Sequence, residues 1–179
     1  MSDTALPYRA TTLAAAYDGL VRLPVAVMLD NVRSAYNVGA FFRTLDAVGG
    51  DRVLLSGITP APDHRGVAKT ALGAETMVRW ERAADPAAML DALREQGVTV
   101  AAVETSAVAV DLFDWQPSFP VCVVFGHEVE GITPSLLERA TVHVRIPMLG
   151  HKHSLNVATA GGVVLYELLR KYRQACASA

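Results

Sequence analysis

The residues best equipped for chemistry fall in three polar stretches, each beside an apolar run. One is Asp30-Asn31-Val32-Arg33-Ser34, leading into Asn37-Val38-Gly39-Ala40-Phe41-Phe42-Arg43. The second is Gly126-His127-Glu128-Val129-Glu130-Gly131, and the third is His151-Lys152-His153-Ser154-Leu155-Asn156. Apolar residues at helical spacing resume at Leu155, so the donors of the third stretch sit where a helix N-terminus presents unpaired N–H groups. Such a cluster suits a carboxylate or a phosphate, and a cap on a core helix is the plainer reading of the same residues.

Familiar chemistries fail on the residues themselves. Gly126 to Gly131 has the GxxxxG spacing of a phosphate-binding loop, but Ile132 and Thr133 stand where Lys and Ser/Thr are needed. No GxGxxG follows the first strand, which disfavours a nucleotide-binding metabolic enzyme of the doubly wound type. His143, His151 and His153 lack nearby cysteines and a helical HExxH, so no metal is expected. Ser154 has no GxSxG elbow around it.

The elements that must position these stretches alternate along the chain. Strands are expected at Val25 to Leu29, Val53 to Leu55, Met77 to Trp80, Val98 to Val103, Val121 to Phe125 and Thr141 to Ile146. A helix is expected from Asn37, as its N-cap, to Val48, with Arg43 near the small residues Gly39 and Ala40, where a ligand backbone has room to approach. Arg65 to Leu72 reads as a mobile basic lip. Asp85-Pro86 starts a helix that Gly97 closes, with Met89, Leu90 and Leu93 on its apolar face, and Thr133-Pro134 starts a short one. Residues 107 to 119 read as irregular, with Trp115 and Phe119 as lids or core plugs. The last helix is apolar nearly all round. It must be buried against its own domain or a second subunit, with Gly161-Gly162 permitting close approach. Strands alternating with helices predict an α/β fold, a mostly parallel sheet with helices on both faces, whose ligands bind at the carboxyl ends of the strands.

Bulk properties narrow the class. The 179 residues are 51% apolar, enough for one compact domain with a sizeable core. A formal net charge of −2 excludes a uniformly basic nucleic-acid binder, so any RNA site is local. Cys122 and Cys176 form no CxxC pair and suggest no disulfide framework, consistent with a reducing cytoplasm. Met1 to Ala16 lacks the pattern of a signal peptide, and no apolar run reaches membrane-spanning length. A soluble, cytoplasmic protein with no membrane partner is the expectation. Thr12 to Leu20 reads as a short amphipathic helix.

Three blocks then carry a resemblance. Asn37 to Thr44 (NVGAFFRT), Val124 to Gly131 (VFGHEVEG), and Ile146-Pro147-Met148 with Ser154-Leu155-Asn156-Val157 resemble, in order, the motifs of the SPOUT superfamily, TrmH (SpoU) family. The match covers about residues 23 to 173. It implies a C-terminal trefoil knot, which the rarity of threaded chains would not suggest. It also implies a homodimer, S-adenosylmethionine as methyl donor, and 2′-O-methylation of a ribose in tRNA or rRNA, tRNA slightly favoured. The domain would run over 23–174, between an N-terminal segment, 1–22, and a tail, 175–179.

On this resemblance Asn37, Arg43, Glu128, Ser154 and Asn156 match the polar set around the methyl donor and the target ribose. Gly126, Ile146, Met148 and Leu155 match the cofactor-binding positions, and Glu104-Thr105 ends the strand that closes the same pocket. A guanidinium gives up its proton only above about pH 12, so Arg43 is better suited to clamp a phosphate and stabilise a developing alkoxide than to act as a base. Arg33, Arg65, Lys69 and Lys152 are the candidate RNA contacts, with plain solvated charge as the simpler reading of each. Two departures stand out: His127 replaces a small polar residue, and His151-Lys152-His153 makes the third loop unusually basic. Without the long extensions of some relatives, the dimeric core or the short N-terminal segment is expected to grip the RNA. A non-catalytic RNA-binding protein of the same fold is the alternative.

Overall fold

The computed structural model describes residues 22–177, so the helix expected over Thr12 to Leu20 lies outside the described residues. Seven strands form one sheet: β1 (Val25–Asp30), β2 (Arg52–Ser56), β3 (Arg79–Ala83), β4 (Thr99–Val103), β5 (Val110–Asp111), β6 (Val121–Phe125) and β7 (Val142–Arg145). Their order is β3-β2-β1-β6-β4-β7-β5, and every pairing is parallel. A parallel sheet covered on both faces needs strands that are apolar at successive positions, which β1 and β6 supply. Val25, Val27 and Leu29, with Val121, Val123 and Phe125, face one core. Ala26, Met28, Cys122 and Val124 face the other. Buried in that second core, the Cys122 thiol is pushed up to about 12 by loss of solvent, so it stays protonated.

Helices cover both faces. The first core is closed by α1 (Ala35–Ala47), α2 (Arg65–Ala71), α3 (Ala74–Met77) and α6 (Val157–Ala177), the second by α4 (Pro86–Glu95) and α5 (Pro134–Leu137). The α4 start follows local rules: the Asp85 side chain accepts from the Ala88 N–H at 3.0 Å, and Pro86 occupies the first turn.

Several local expectations shift, each for a tertiary reason. Ser34, not Asn37, caps α1, accepting from the Asn37 N–H at 3.3 Å, which leaves the Asn37 side chain free for other partners. The expected basic lip is an ordered helix, α2, held by buried Val67 and Ala71. It packs so closely on α1 that a Cβ at Gly39 would lie 2.0 Å from Thr70 Oγ1 and 2.4 Å from the Val67 carbonyl oxygen. Gly39 therefore admits a neighbouring helix, not a ligand. Met77 ends α3 and the strand begins at Arg79. Within 107–119 the pair Val110–Asp111 adds an edge strand, Trp115 is buried, and Phe119 packs edge-on against Tyr172 with centroids 4.9 Å apart. Both aromatics are core plugs.

The last helix starts at Val157 and, with no Gly or Pro near its end, runs to Ala177. Its Gly161 admits the Phe41 ring of α1: a Cβ there would lie 2.2 Å from Phe41 Cε1. Phe41 also packs on Phe125 at the end of β6, centroids 4.9 Å apart. Further along, the Lys171 ammonium is buried and donates to the carbonyls of Leu112 (2.9 Å), Phe113 (3.1 Å) and Trp115, with Glu167 Oε1 3.5 Å away. This polar plug ties the helix to the 107–119 segment. The protomer alone does not bury this helix all round, because Tyr166 is 54% exposed and a Cβ at Gly162 would meet nothing within 4 Å.

Gly161→Ala should force Phe41 off its rotamer and cost about 1–3 kcal/mol, read as a lower midpoint in urea unfolding.

Candidate active site

Because all strands run the same way, the loops after β1, β2, β4, β6 and β7 leave from one edge of the sheet. A buried polar knot holds the first of them. The Asp30 carboxylate accepts from Ser56 Oγ (2.8 Å), Asn31 Nδ2 (3.1 Å) and the Thr133 N–H (2.9 Å), joining the ends of β1 and β2 to the start of α5. Asn31 adopts a left-handed backbone, φ 55°, and its Oδ1 accepts from the Ile58 N–H at 3.2 Å. Gly57 is required beneath it, since a Cβ there would sit 2.0 Å from that oxygen. Thr59 Oγ1 finishes the turn, donating to the Leu29 carbonyl and accepting from the Val32 N–H.

Beside this scaffold lies a cleft of about 550 Å³, a size ordinary for a small-molecule site. Its wall includes Glu104, Thr105, Gly126, Glu128, Ile146, Met148, Ser154, Leu155 and Asn156, drawn from the loops after β4, β6 and β7. Val103, Ile132, Leu137, Val144 and Ala160 add apolar surface. At Gly126 backbone meets backbone: a Cβ there would lie 2.2 Å from the Gly131 carbonyl carbon and 2.3 Å from Ile132 N. Glu104 braces the opposite side, its carboxylate accepting from the N–H of Thr105 (2.9 Å) and of Ile132 (3.4 Å).

The three polar stretches meet through side chains. Glu128 accepts from the Arg33 and Ser34 N–H groups, both at 3.2 Å, and from Asn37 Nδ2 at 3.0 Å. Asn37 Oδ1 in turn accepts from Asn156 Nδ2 at 3.2 Å. Asn156 does two jobs, because its Oδ1 also caps α6, accepting from the N–H of Ala158 (3.0 Å) and Thr159 (3.3 Å). A second cleft, about 340 Å³, opens beside this chain of amides and is lined by Arg33, Ser34, Asn37, His127, Glu128 and Val129. Partial burial raises the Glu128 carboxyl, but hydrogen bonds from its own N–H, from Arg33, Asn37 and Ser34 outweigh that and hold it below the ordinary carboxylate value.

Other expected site residues lie elsewhere. Arg43 is exposed, lines neither cleft and has no hydrogen-bond or ionic partner among the described residues. Ser154 lines the larger cleft with its hydroxyl unbonded among the described residues, so it does not cap α6. Arg33 borders the smaller cleft. Arg65 and Lys69 ride on the exposed face of α2, with Lys69 Nζ 5.8 Å from the Tyr36 ring centroid, and Lys152 is exposed outside both clefts. His143 is structural, bridging Ser106 Oγ (3.2 Å) and the Leu137 carbonyl (3.3 Å). His127, His153 and Arg145, unassigned by sequence reasoning, line the larger cleft. For His127 the available signal was its place between Gly126 and Glu128; for Arg145, only its position at the end of an expected strand. Among the described residues no His/Cys/Asp/Glu group of metal-binding size occurs, and no helix is long and apolar enough to cross a membrane.

A carboxyl lowered by native contacts adds stability above its unfolded value, near 4.5, and loses that contribution as pH falls through the lower folded one. Glu128→Gln should therefore be less stable than wild type at neutral pH, and the gap should close on acidification below the ordinary carboxylate range, measured by urea unfolding across pH.

Comparison with known proteins agrees with this geometry. The profile of the SpoU rRNA Methylase family matches residues 24–166. A Staphylococcus haemolyticus protein named as a TrmH family tRNA/rRNA methyltransferase is 33% identical over 152 residues, 85% of this chain and 61% of its own length. The chain thus spans about three fifths of that curated relative. An rRNA methyltransferase from Sinorhizobium meliloti, solved with AdoMet bound, superposes with a TM-score of 0.73 at 31% identity, over 84% of this chain and 60% of that one. A protein solved for insight into the 2-OH methylation of C/U34 on tRNA superposes with a TM-score of 0.74 at 27% identity, over 84% of this chain and 97% of that one. With the family profile spanning most of a parallel sheet whose three motif loops join at one edge, this chain belongs to the SpoU rRNA Methylase family.

Proposed function

We propose that the chain is an S-adenosylmethionine-dependent methyltransferase acting on a ribose 2′-hydroxyl of RNA, with tRNA the first substrate to test and rRNA the second. The observation that carries this reading is the cleft at the strand ends, whose wall gathers the motif residues of three distant loops. The AdoMet-bound relative from S. meliloti supports the donor, and the tRNA 2-OH protein, matched over nearly its whole length, supports the acceptor.

The donor fits the residues present. Ile146, Leu155 and Val144 offer apolar surface for a purine, Gly126 lets the backbone return at Gly131 and Ile132 pack closely behind the cleft wall, and the side chains of Thr105, Glu128 and Ser154 offer polar partners. S-Adenosylmethionine, when bound, supplies an electrophilic sulfonium methyl. Glu128 and Asn156 hold Asn37 from both sides, so the edge between the two clefts keeps one shape. Arg33, on the smaller cleft, is placed to meet an RNA phosphate.

Arg43 works from a second subunit in this proposal. It is a free cation off the cleft wall of its own chain, and the exposed stripe of α6 around Gly162 and Tyr166 is the surface through which a two-fold dimer would form. There it would clamp the substrate phosphate and stabilise the developing 2′-alkoxide. The same reading takes the chain as cytoplasmic. It also takes the junction of the 107–119 segment with α6, pinned by Lys171, as part of a trefoil knot.

Arg43→Ala should lower methyl transfer to RNA by about 100-fold or more while donor binding by calorimetry stays near wild type. Retention of most activity in a radiolabelled transfer assay would remove Arg43 from the centre. Tyr166→Asp should convert the dimer to monomer in sedimentation at micromolar concentration and lower transfer with it; a wild-type monomer would end the two-subunit site.

A further inference from the structure

The ridge between the two clefts is the loop from His127 to Gly131, and its construction singles out one ring. At its base the loop is closed by a pair of backbone hydrogen bonds, His127 N–H to the Gly131 carbonyl and Gly131 N–H to the His127 carbonyl, both 2.9 Å. Gly131 makes the return with φ 75°. Inside the turn, His127 Nδ1 accepts from the N–H groups of Val129 and Glu130, both at 3.1 Å. No apolar packing props the loop from within, since Val129 is 87% exposed. The imidazole is its internal support.

An Nδ1 that accepts must be unprotonated, so in this arrangement the ring is neutral with its proton on Nε2. In the imidazolium both nitrogens are donors, and Nδ1–H would confront the two N–H groups it now receives. The loop would have to open. Glu128 sits in the middle of it, so opening withdraws the carboxylate that holds Arg33, Ser34 and Asn37 and loosens the wall shared by both clefts.

We infer that His127 is a positioning residue for methyl-donor binding: its neutral ring keeps the 127–131 ridge in binding shape, and protonation dismantles that shape. The inference rests on the proposed donor site. Charged groups face the ring's neighbourhood from every side: Glu128 and Glu130 on its own loop, Glu104 against Gly131, Arg33 across the smaller cleft, and Arg145 and His153 on the larger cleft's wall. What protonation breaks is geometric, the acceptor at Nδ1. Binding and protonation are reciprocal, so a bound donor must also disfavour the imidazolium.

The test uses the full chain and S-adenosylmethionine in calorimetric titrations from pH 8 to pH 5. Wild type should lose affinity by about tenfold or more across that window. His127→Ala should be about tenfold weaker than wild type at pH 8. His127→Asn puts an acceptor oxygen where Nδ1 was and should recover most of the affinity that alanine loses, without the fall at pH 5. His127→Asn with the full acid dependence would assign the titration to another group such as His153 and overturn the proposal, as would His127→Ala binding like wild type. Nitrogen-15 spectra read the loop without any donor. The ring should be the Nε2–H form at pH 8, and the Val129 and Glu130 amides should shift with its titration; amides indifferent to ring protonation also overturn it. Wild type failing to bind the donor at pH 8 while those amides follow the ring would count against the donor site and spare the loop mechanism.

Discussion

The crossing of α1 over α6 at Phe41 and Gly161 is the contact on which the site depends. Only hydrogen fits between the helix backbone and the ring, and the ring also packs on Phe125 at the end of β6. Helical geometry carries the consequence outward. Asn37 lies about one turn before Phe41, and Asn156, the cap of α6, lies less than a turn and a half before Gly161. Fixing the buried crossing therefore brings the two amides together at the surface, where they bond at 3.2 Å. The polar link is exposed and adds little stability of its own. Its value is orientation, and the apolar crossing beneath it supplies the energy.

The loops around the cleft are held mostly by groups that make no claim on a ligand. Asp30, Asn31 and Thr59 spend their hydrogen-bonding capacity on the turns after β1 and β2 and on the start of α5. Glu104 does the same for the turn at Thr105 and for the return of the β6 loop at Ile132. Glu128 shares that bracing role, since its carboxylate accepts from the Arg33 and Ser34 N–H groups and from the Asn37 amide and is held in the charged form. Among the described residues Arg43 and the Ser154 hydroxyl are two motif groups without protein partners, and the proposed reaction would draw on them.

Those two groups also mark where the proposed reaction would need more than one protomer. Ser154 lines the larger cleft while Arg43 lines neither, and a reaction that aligns an oxygen with a methyl donor needs its cation at the same place. The half-covered face of α6 explains the mismatch between its composition and its environment. Val164, Leu165 and Leu168 satisfy the protomer's core, whereas Gly162 and Tyr166 add contact surface that the protomer itself does not use.

Local signals were legible in the chain from the start. Apolar runs marked the main strands, Asp85-Pro86 and Thr133-Pro134 marked helix starts, and several residues now lining the larger cleft, Gly126, Glu128, Ile146, Ser154 and Asn156 among them, stood in the motif stretches, because each of these is decided within a few positions. Tertiary structure alone decided what the glycines and polar groups were for. Gly39 read as clearance for a ligand and Gly161 as close approach of the last helix, and only the packed neighbours, Thr70 and Phe41, settle what each admits. Asn37 read as a cap until Ser34 took that place, and its actual partners, Glu128 and Asn156, are 91 and 119 residues away. His127 showed itself only when its ring closed on its own loop. Spacing along a chain sets which side chains share a face, but a partner a hundred residues distant is chosen by the order of strands in the sheet, and that order is a property of the whole packed core.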